Sequence, residues 1–505
     1  MEIGNATNRR VCGLEVRRLK IPTGKLKKDK SSTLKETTIP HQTIVDEFNH
    51  VHDFLQKKLV TNIGDVILFY LYSMVDHSVI YQKEIKPLLE NAKAALQDGE
   101  LLPENDLAGI INAISIGHIV VYVEETKKYY KFIAYSAPTR SIGTSEIETT
   151  VIGPQDSFTE SLQTNLSLLK RRIHTPHFKT KSSTIGTESH TEICTVYMKN
   201  IVSDDNIGLI EERLRNVNNP SFQDISILKQ MLEDNPFSPF PQFIMTNRPD
   251  TAVKYIMDGR IVVLMDNSSS IMITPSSFLE MFLSSEDYYN RWTTASLLRL
   301  IRFIGFFITV ILTPAYISIM SFHPGVVPID LLMRLQESRS KVPFPPVFEV
   351  IFIELVIEVL REAGARMPTK IGQTIGIVGG IVIGTAAVEA GLVSNVLIVL
   401  VAISALLSFM IPNYLMSNAS RLIRYFFIIA AGAFGFLGLT LALAWLMNHL
   451  LNLTSLGKPY VSPVVPRRFS DVYDGIVRAP LTFIQNRKRL SMSKQPTFPT
   501  KREKQ

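Results

Sequence analysis

Residues 297–320 read LLRLIRFIGFFITVILTPAYISIM, and their only charged members are Arg299 and Arg302. A bilayer core is about 30 Å thick and takes about 20 apolar residues of helix at 1.5 Å each, so this run is long enough to cross a membrane. Arg302 then lies one turn inside and snorkels with Arg299 to the cytoplasmic interface. Residues 371–390, 396–411 and 422–447 are also long and apolar enough to cross. A fifth stretch, 347–360, is apolar but carries Glu349, Glu354 and Glu358. A carboxylate at the bilayer centre costs at least about 2.5 kcal/mol, so three in one helix must face protein, water or the interface.

The rest of the chain has a different character. Mean hydropathy is +0.15 over 505 residues, too apolar for an ordinary enzyme and too polar for a chain that is all membrane. Residues 1–290 are evenly mixed, whereas the apolar runs fall between 297 and 450. The expected fold is therefore an α+β cytoplasmic region of two small subdomains, followed by an all-α multispanning membrane domain. We place a disordered basic tail at 1–40, subdomain 1 at 41–140, subdomain 2 at 150–290, the transmembrane domain at 293–450 and a basic cytoplasmic tail at 451–505. The transmembrane domain should have about four spans plus an amphipathic or re-entrant helix at 347–360.

Net charge is +7, and from Lys458 onward 11 Lys/Arg face 3 Asp/Glu, so the tail holds the whole excess. Four crossings return this tail to the cytoplasm, as the positive-inside trend favours, although Arg334, Arg339, Lys341, Arg366 and Lys370 then fall outside. Both basic ends are either solvated tails or attracted to anionic membrane lipid. They lack the interleaved aromatics of a nucleic-acid binder, so no nucleic acid is expected. The first 30 residues have no apolar core of a signal peptide. Cys12 and Cys194 stand far apart without Cys/His partner spacing, which gives no disulfide framework and no metal site.

In subdomain 1, the apolar pattern Ile44, Phe48, Val51, Phe54, Leu55 predicts an amphipathic helix. Val66–Val75 is too short to span and reads as a buried strand. Helices follow at Ile85–Leu96 and Leu107–Ile114, then the strands GHIVVYVEE and YYKFIAY. Past a Gly/Pro/Thr-rich linker at 137–154, subdomain 2 reads as a helix near 157–173, the strand EICTVYM, helices near 207–217 and 225–232, and the hairpin RIVVLM-DNSSS-IMIT. No phosphate-binding glycine loop or catalytic constellation occurs, so no enzyme activity and no cofactor are expected.

Residues 371–391 read IGQTIGIVGGIVIGTAAVEAG. Gly372, Gly376, Gly380 and Gly384 stand four apart, forming a ridge without side chains along which helices associate in lipid. The adjacent row, Gln373, Ile377, Ile381, Thr385 and Glu389, has polar ends around two isoleucines. Around a shared axis it would form polar mouths and a dewetting constriction; ordinary helix packing is the alternative. Glu354 and Glu358 share a helical face with Arg361 one turn on. With Glu349 they form either an acidic vestibule for cations or ion pairs with Arg361 or Arg366.

Several stretches together carry a family resemblance: DNPFSPFPQ (234–242), SSEDYYNRW (284–292), residues 297–324, PFPPVFEV (343–350), ELVIEVLREAGARMPTKIGQTIGIVGGIVIGTAAVEAGLVS (354–394) and SFMIPNY (408–414). Over residues 45–450 the chain resembles the A subunit of the GerA-family spore nutrient germinant receptors, with Thr385 where many members carry Gln and Asn395 where many carry Pro. The resemblance implies a non-enzymatic receptor subunit in the spore inner membrane. It also implies a permease-like B subunit and a lipoprotein C subunit as partners, and self-association into a ring, a pentamer, that conducts cations when nutrient binds. A secondary transporter of an amino acid or ion, or a non-conducting scaffold, are the rival readings.

Overall fold

The computed structural model describes residues 40–75, 80–103, 105–132, 148–366, 380, 382–465, 474–480, 487 and 489–497. In the first subdomain, strand β2 (Gly64–Leu71) is buried on both faces. Its Val66, Leu68 and Tyr70 meet Leu88 and Ala92 of α2 (Lys86–Ala95). Its Ile67, Phe69 and Leu71 meet Ile44 of α1 (His41–Glu47) and Ile110 and Ile114 of α3 (Leu107–Ile116). Side chains alternate across a strand, so two cores account for the unbroken apolar run. The sheet is antiparallel in the order β1 (Phe54–Thr61), β2, β4 (Ile119–Val123), β5 (Lys128–Phe132), β3 (Glu100–Leu102). The helix expected to run from Ile44 to Leu55 ends at Glu47, because His50 takes a left-handed φ of 66° and Phe54 and Leu55 open β1.

The second subdomain repeats this plan with β6 (Phe178–Ile185), β7 (Thr191–Met198), β9 (Ile261–Met265), β10 (Ile271–Thr274) and β8 (Ile244–Thr246), in that spatial order. The expected hairpin is β9–β10. Helices α5 (Asp204–Asn216) and α6 (Ile225–Leu232) cover one face; α4 (Leu162–Lys170) and α7 (Pro249–Met257) cover the other. A buried ion pair between Asp53 and Lys170, with Ser73 donating to the same carboxylate, ties the two subdomains together. Burial works to raise the Asp53 pKa, but Lys170 and Ser73 outweigh it and hold the carboxyl below its ordinary range.

The α4/α7 core does not stop at the subdomain. Phe278 and Phe282 meet Phe306 of α9 (Trp292–Ser321) edge-on at 5.6 and 5.5 Å, and the same apolar cluster runs on to Phe427, Ala442 and Leu446. Helix α9, preceded by the short α8 (Glu286–Tyr289), leads away from the subdomain to Phe322 and His323. Helix α10 (Ile329–Arg339) follows at this far end. Helix α11 (Pro346–Arg366) is one continuous helix of 21 residues, about 31 Å long, and runs six residues past the stretch expected at 347–360. It returns toward the near end: Glu349 meets Ser394, Glu354 meets Thr313, and Arg361 lies over Phe409. Helix α12 (382–389) and α13 (Asn395–Phe409) follow. The Thr309–Ser404 contact sets α13 antiparallel to α9.

Helix α14 (Tyr414–Asn452) is broken at Gly435, whose φ of 60° and ψ of −137° are not helical. The Phe426 and Trp445 rings are 4.8 Å apart, and a Cβ on Gly438 would fall 1.9 Å from the Ala430 carbonyl. In a straight helix 19 residues would separate the rings by about 28 Å. The stretch expected as one span at 422–447 is therefore a hairpin, with a first arm to the far end, where Gly435 meets Phe322, and a second arm back.

Past α14 parts of the chain fold back on subdomain 2. β11 (Thr454–Ser455) pairs with β12 (Lys458–Pro459). The Tyr460 hydroxyl donates to Pro241 O at 2.6 Å, and Asn206 donates to Ser491 O at 2.9 Å.

Candidate functional site

Helix α11 presents its acids to arginines on α14. Glu354, fully buried, has its Oε2 2.8 Å from Arg424 Nη2 in ion-pair contact and accepts from Thr313 at 3.3 Å through Oε1. Arg424 also donates to Ser404 at 2.7 Å. One turn on, half-exposed Glu358 pairs with Arg421 and, at 3.6 Å, with Arg361, which donates to Ser408 at 3.1 Å. At the far end Glu349 holds Arg339 at 3.1 Å and accepts from the Ser394 amide at 2.6 Å, fixing the start of α13 as an N-terminal carboxylate does. The three acids thus line a seam among α9, α10, α11, α13 and α14 in which each carboxylate has an arginine.

Of the residues singled out from sequence, Glu349, Glu354, Glu358 and Arg361 are brought together here. Sequence reading missed Arg421 and Arg424; two arginines three apart at the head of an apolar helix, matching acids four apart on another, were the available signal. Gln373, Ile377, Ile381, Gly372 and Gly376 lie outside the described residues. Among the described residues nothing lies within 4 Å of where a Cβ on Gly380 or Gly384 would stand, and Thr385 and Glu389 are exposed. Ala387, opposite Thr385 and Glu389 on the same helix but on the side of Gly380, is buried in the cluster of Tyr316 and Val350.

A second cluster lies where α9 leaves subdomain 2. Arg299 and Arg302 do not snorkel. Both bind Asp287, Arg299 at 3.0 Å and Arg302 at 2.8 Å, and Arg299 reaches Asp474 of the C-terminal segment at 3.1 Å. The Tyr288 hydroxyl donates to Asp474 at 2.8 Å, and Lys254 sits 3.7 Å over its ring. Burial, followed by the Asp474 charge, pushes the Tyr288 hydroxyl well above its ordinary pKa, so it remains a donor.

Beside this cluster a cavity of about 940 Å³ opens between subdomain 2 and the turn joining α13 to α14; Glu148, Arg248, Tyr255, Tyr288 and Tyr414 are among its walls. Glu148 is hydrogen-bonded by Thr246 at 2.6 Å, yet burial pushes its carboxyl up to about 7. An acid raised by folding destabilises the fold as pH climbs from its unfolded pKa to its folded one. Relative to Glu148→Gln, the parent chain should lose about 3 kcal/mol between pH 4.5 and 7 and nothing more above it. Thermal melting of both chains across that range checks this, and parallel curves would refute it.

The model of the Bacillus/Clostridium GerA spore germination protein matches residues 42–490. The chain is 39% identical over 451 residues to spore germination protein GerQA of Bacillus cereus, covering 88% of this chain and 90% of that protein. It is 36% identical over 435 residues to spore germination protein A1 of Bacillus subtilis (strain 168), covering 84% and 90%. Among solved structures, the N-terminal domain of the A subunit of the Bacillus megaterium spore germinant receptor GerK3 aligns with a TM-score of 0.37 at 21% identity, over 47% of this chain and 94% of that one. With a family match across nearly its whole length and relatives close to 40% identical, this chain belongs to the GerA family of spore germination proteins.

Proposed function

We propose that this chain is a subunit of a spore nutrient germinant receptor, embedded in the spore inner membrane, that assembles with copies of itself into a ring conducting cations when nutrient binds. A pentamer, with a permease-like B subunit and a lipoprotein C subunit as partners, is the assembly we favour. Among the described residues two helical stretches, α9 and α14, the latter broken at Gly435, are long and apolar enough to cross a membrane. Among the described residues the path of the chain supports crossings by α9, α11, α13 and the two arms of α14; with residues 371–390, read from the sequence as a span, the proposed number is six. An even number keeps both subdomains and the basic C-terminal segment on the cytoplasmic side. It also leaves Arg366 at the inner end of α11, so fewer cations face outward than four spans require.

The observation that carries this reading is the contrast between two helix faces. The intramembrane acids Glu349, Glu354 and Glu358 are matched by arginines within the chain, as ionisable groups in lipid must be. On α12, Thr385 and Glu389 are instead exposed, and no described residue lies within 4 Å of where a Cβ on Gly380 or Gly384 would stand. A ridge of small residues suits a second copy of the helix, and the polar row beside it would then face a shared water path, with Gln373, Ile377 and Ile381 continuing it.

Reconstitution in ion-loaded liposomes tests the reading. Discrete conductance steps are expected; coupled uptake would favour a transporter, and no flux a scaffold. Gly384→Leu should leave the single chain folded while weakening assembly and ion flux by about tenfold, roughly 1.4 kcal/mol. Glu389→Gln should alter flux at an unchanged protein level. Wild-type assembly and flux in both variants would remove the proposed pore face.

A further inference from the structure

The segment 234–242, DNPFSPFPQ, is more elaborately braced than a connecting loop needs to be. Asp234 binds Arg213 and Thr454 and accepts the amide of Gly457 at 2.8 Å. The Asn235 amide donates to Gln242 Oε1 at 2.9 Å, and Gln242 Nε2 returns a bond to Asn235 O at 2.6 Å. Asn235 Oδ1 accepts the Phe237 amide at 3.2 Å. Phe240 is buried, and Pro241 O accepts from Tyr460. Pro236 and Pro239 fix φ on either side. Every residue from Asp234 to Gln242 thus has a bond, a packing role or a fixed backbone angle, except for the side chain of Phe237. It is 97% exposed.

The position of this loop identifies what Phe237 meets. Ser238 is 2.9 Å from His449 in the last turn of α14, and Phe240 packs on the same imidazole at 6.0 Å. His449 stacks on Trp445 at 5.4 Å. Trp445 belongs to an exposed line along the second arm, Leu437, Leu441, Trp445 and Leu451. Phe237 stands beside the end of that line, at the level where the apolar arm stops.

We propose that Phe237 is a membrane anchor: the braced loop holds the ring at the boundary between headgroups and acyl chains of the cytoplasmic leaflet, pinning subdomain 2 to the bilayer. Aromatic side chains are favoured at that depth, where apolar surface leaves water without entering the hydrocarbon centre. The inference rests on the reading of α14 as membrane-embedded, and on the line of exposed apolar residues that Phe237 continues.

Nitroxide labels at 237, at Leu441 on the exposed line and at Lys57 on the water-facing strand β1 provide the test, in the full chain reconstituted in nanodiscs of phosphatidylcholine and phosphatidylglycerol. Since the Phe237 side chain is almost wholly exposed, Phe237→Cys should fold normally. The label at 237 should be more accessible to oxygen than to an aqueous nickel complex, though less so than the label at 441. Equal behaviour at 237 and 57 would overturn the anchor. Low accessibility to both reagents would also overturn it, placing Phe237 against another protein copy. Should the label at 441 also report water, the membrane reading of α14 falls with it; lipid at 441 and water at 237 would sink the anchor alone.

Discussion

Glu354→Ala is expected to lower the stability of the folded chain by about 3–5 kcal/mol, the loss found when one partner of a buried ion pair is removed. The midpoint of thermal unfolding in detergent should fall by about 3–5 °C, given the unfolding entropy of a 505-residue chain. The cause is what remains behind: Arg424 is 1% exposed, and among the described residues its hydrogen-bond partner without Glu354 is the neutral Ser404. Removing both charges should cost far less, because apolar groups of similar volume replace buried pairs at little or no loss. Glu354→Leu combined with Arg424→Met is therefore expected to recover most of the stability. Glu358→Ala is the internal contrast. Its carboxylate is 39% exposed, solvent already screens its pairs with Arg421 and Arg361, and a loss under about 1 kcal/mol is expected. Equal losses at 354 and 358 would mean that burial does not set the cost along this seam.

The same seam marks how far the sequence could be read. That three acids in an apolar helix must face protein, water or the interface follows from the cost of charge in lipid; in the structure Glu349 and Glu354 are buried, whereas Glu358 is 39% exposed. Which partners they take does not follow, because Arg421 and Arg424 lie about 60–70 residues away and only tertiary packing brings them across. Strand β2 was legible because six consecutive buried residues are too few to cross a bilayer. Strand β1 was not, because Phe48, Phe54 and Leu55 also fit a helical period and the break depends on the backbone of His50. The C-terminal segment read as a tail because its charge is conspicuous, whereas Asp474, Arg478 and Ser491 act singly and show no period. The chain reversal at Gly435 was hidden for a similar reason: one glycine among several in an apolar run carries no local mark of the φ it adopts.

Gly435→Val is expected to be the most damaging substitution outside the seam. A Cβ there would lie 2.9 Å from Phe322 and from His323, closer than side chains pack, and the φ of 60° with ψ of −137° is a combination that β-branched residues all but never adopt. The backbone strain alone is worth about 1–3 kcal/mol, and the clash with the end of α9 adds to it. The chain has two responses. It can keep the hairpin and bear the strain, or straighten into one helix of about 58 Å, which would carry His449 away from Ser238 and Tyr460 away from Pro241. Because those contacts fasten the second arm to subdomain 2, the expected result is loss of folded protein rather than a clean change of path. A cysteine at Val461, probed with a membrane-impermeant reagent, should be labelled in the parent from the side that holds subdomain 2. In the small folded fraction of Gly435→Val, some labelling from the opposite side is expected. Gly208→Ala serves as the control: in α5, where nothing lies within 4 Å of the added methyl, it should be neutral or stabilising by up to about 1 kcal/mol. If Gly435→Val folded in wild-type yield with one-sided labelling, the reversal at 435 would not be a feature of the native chain.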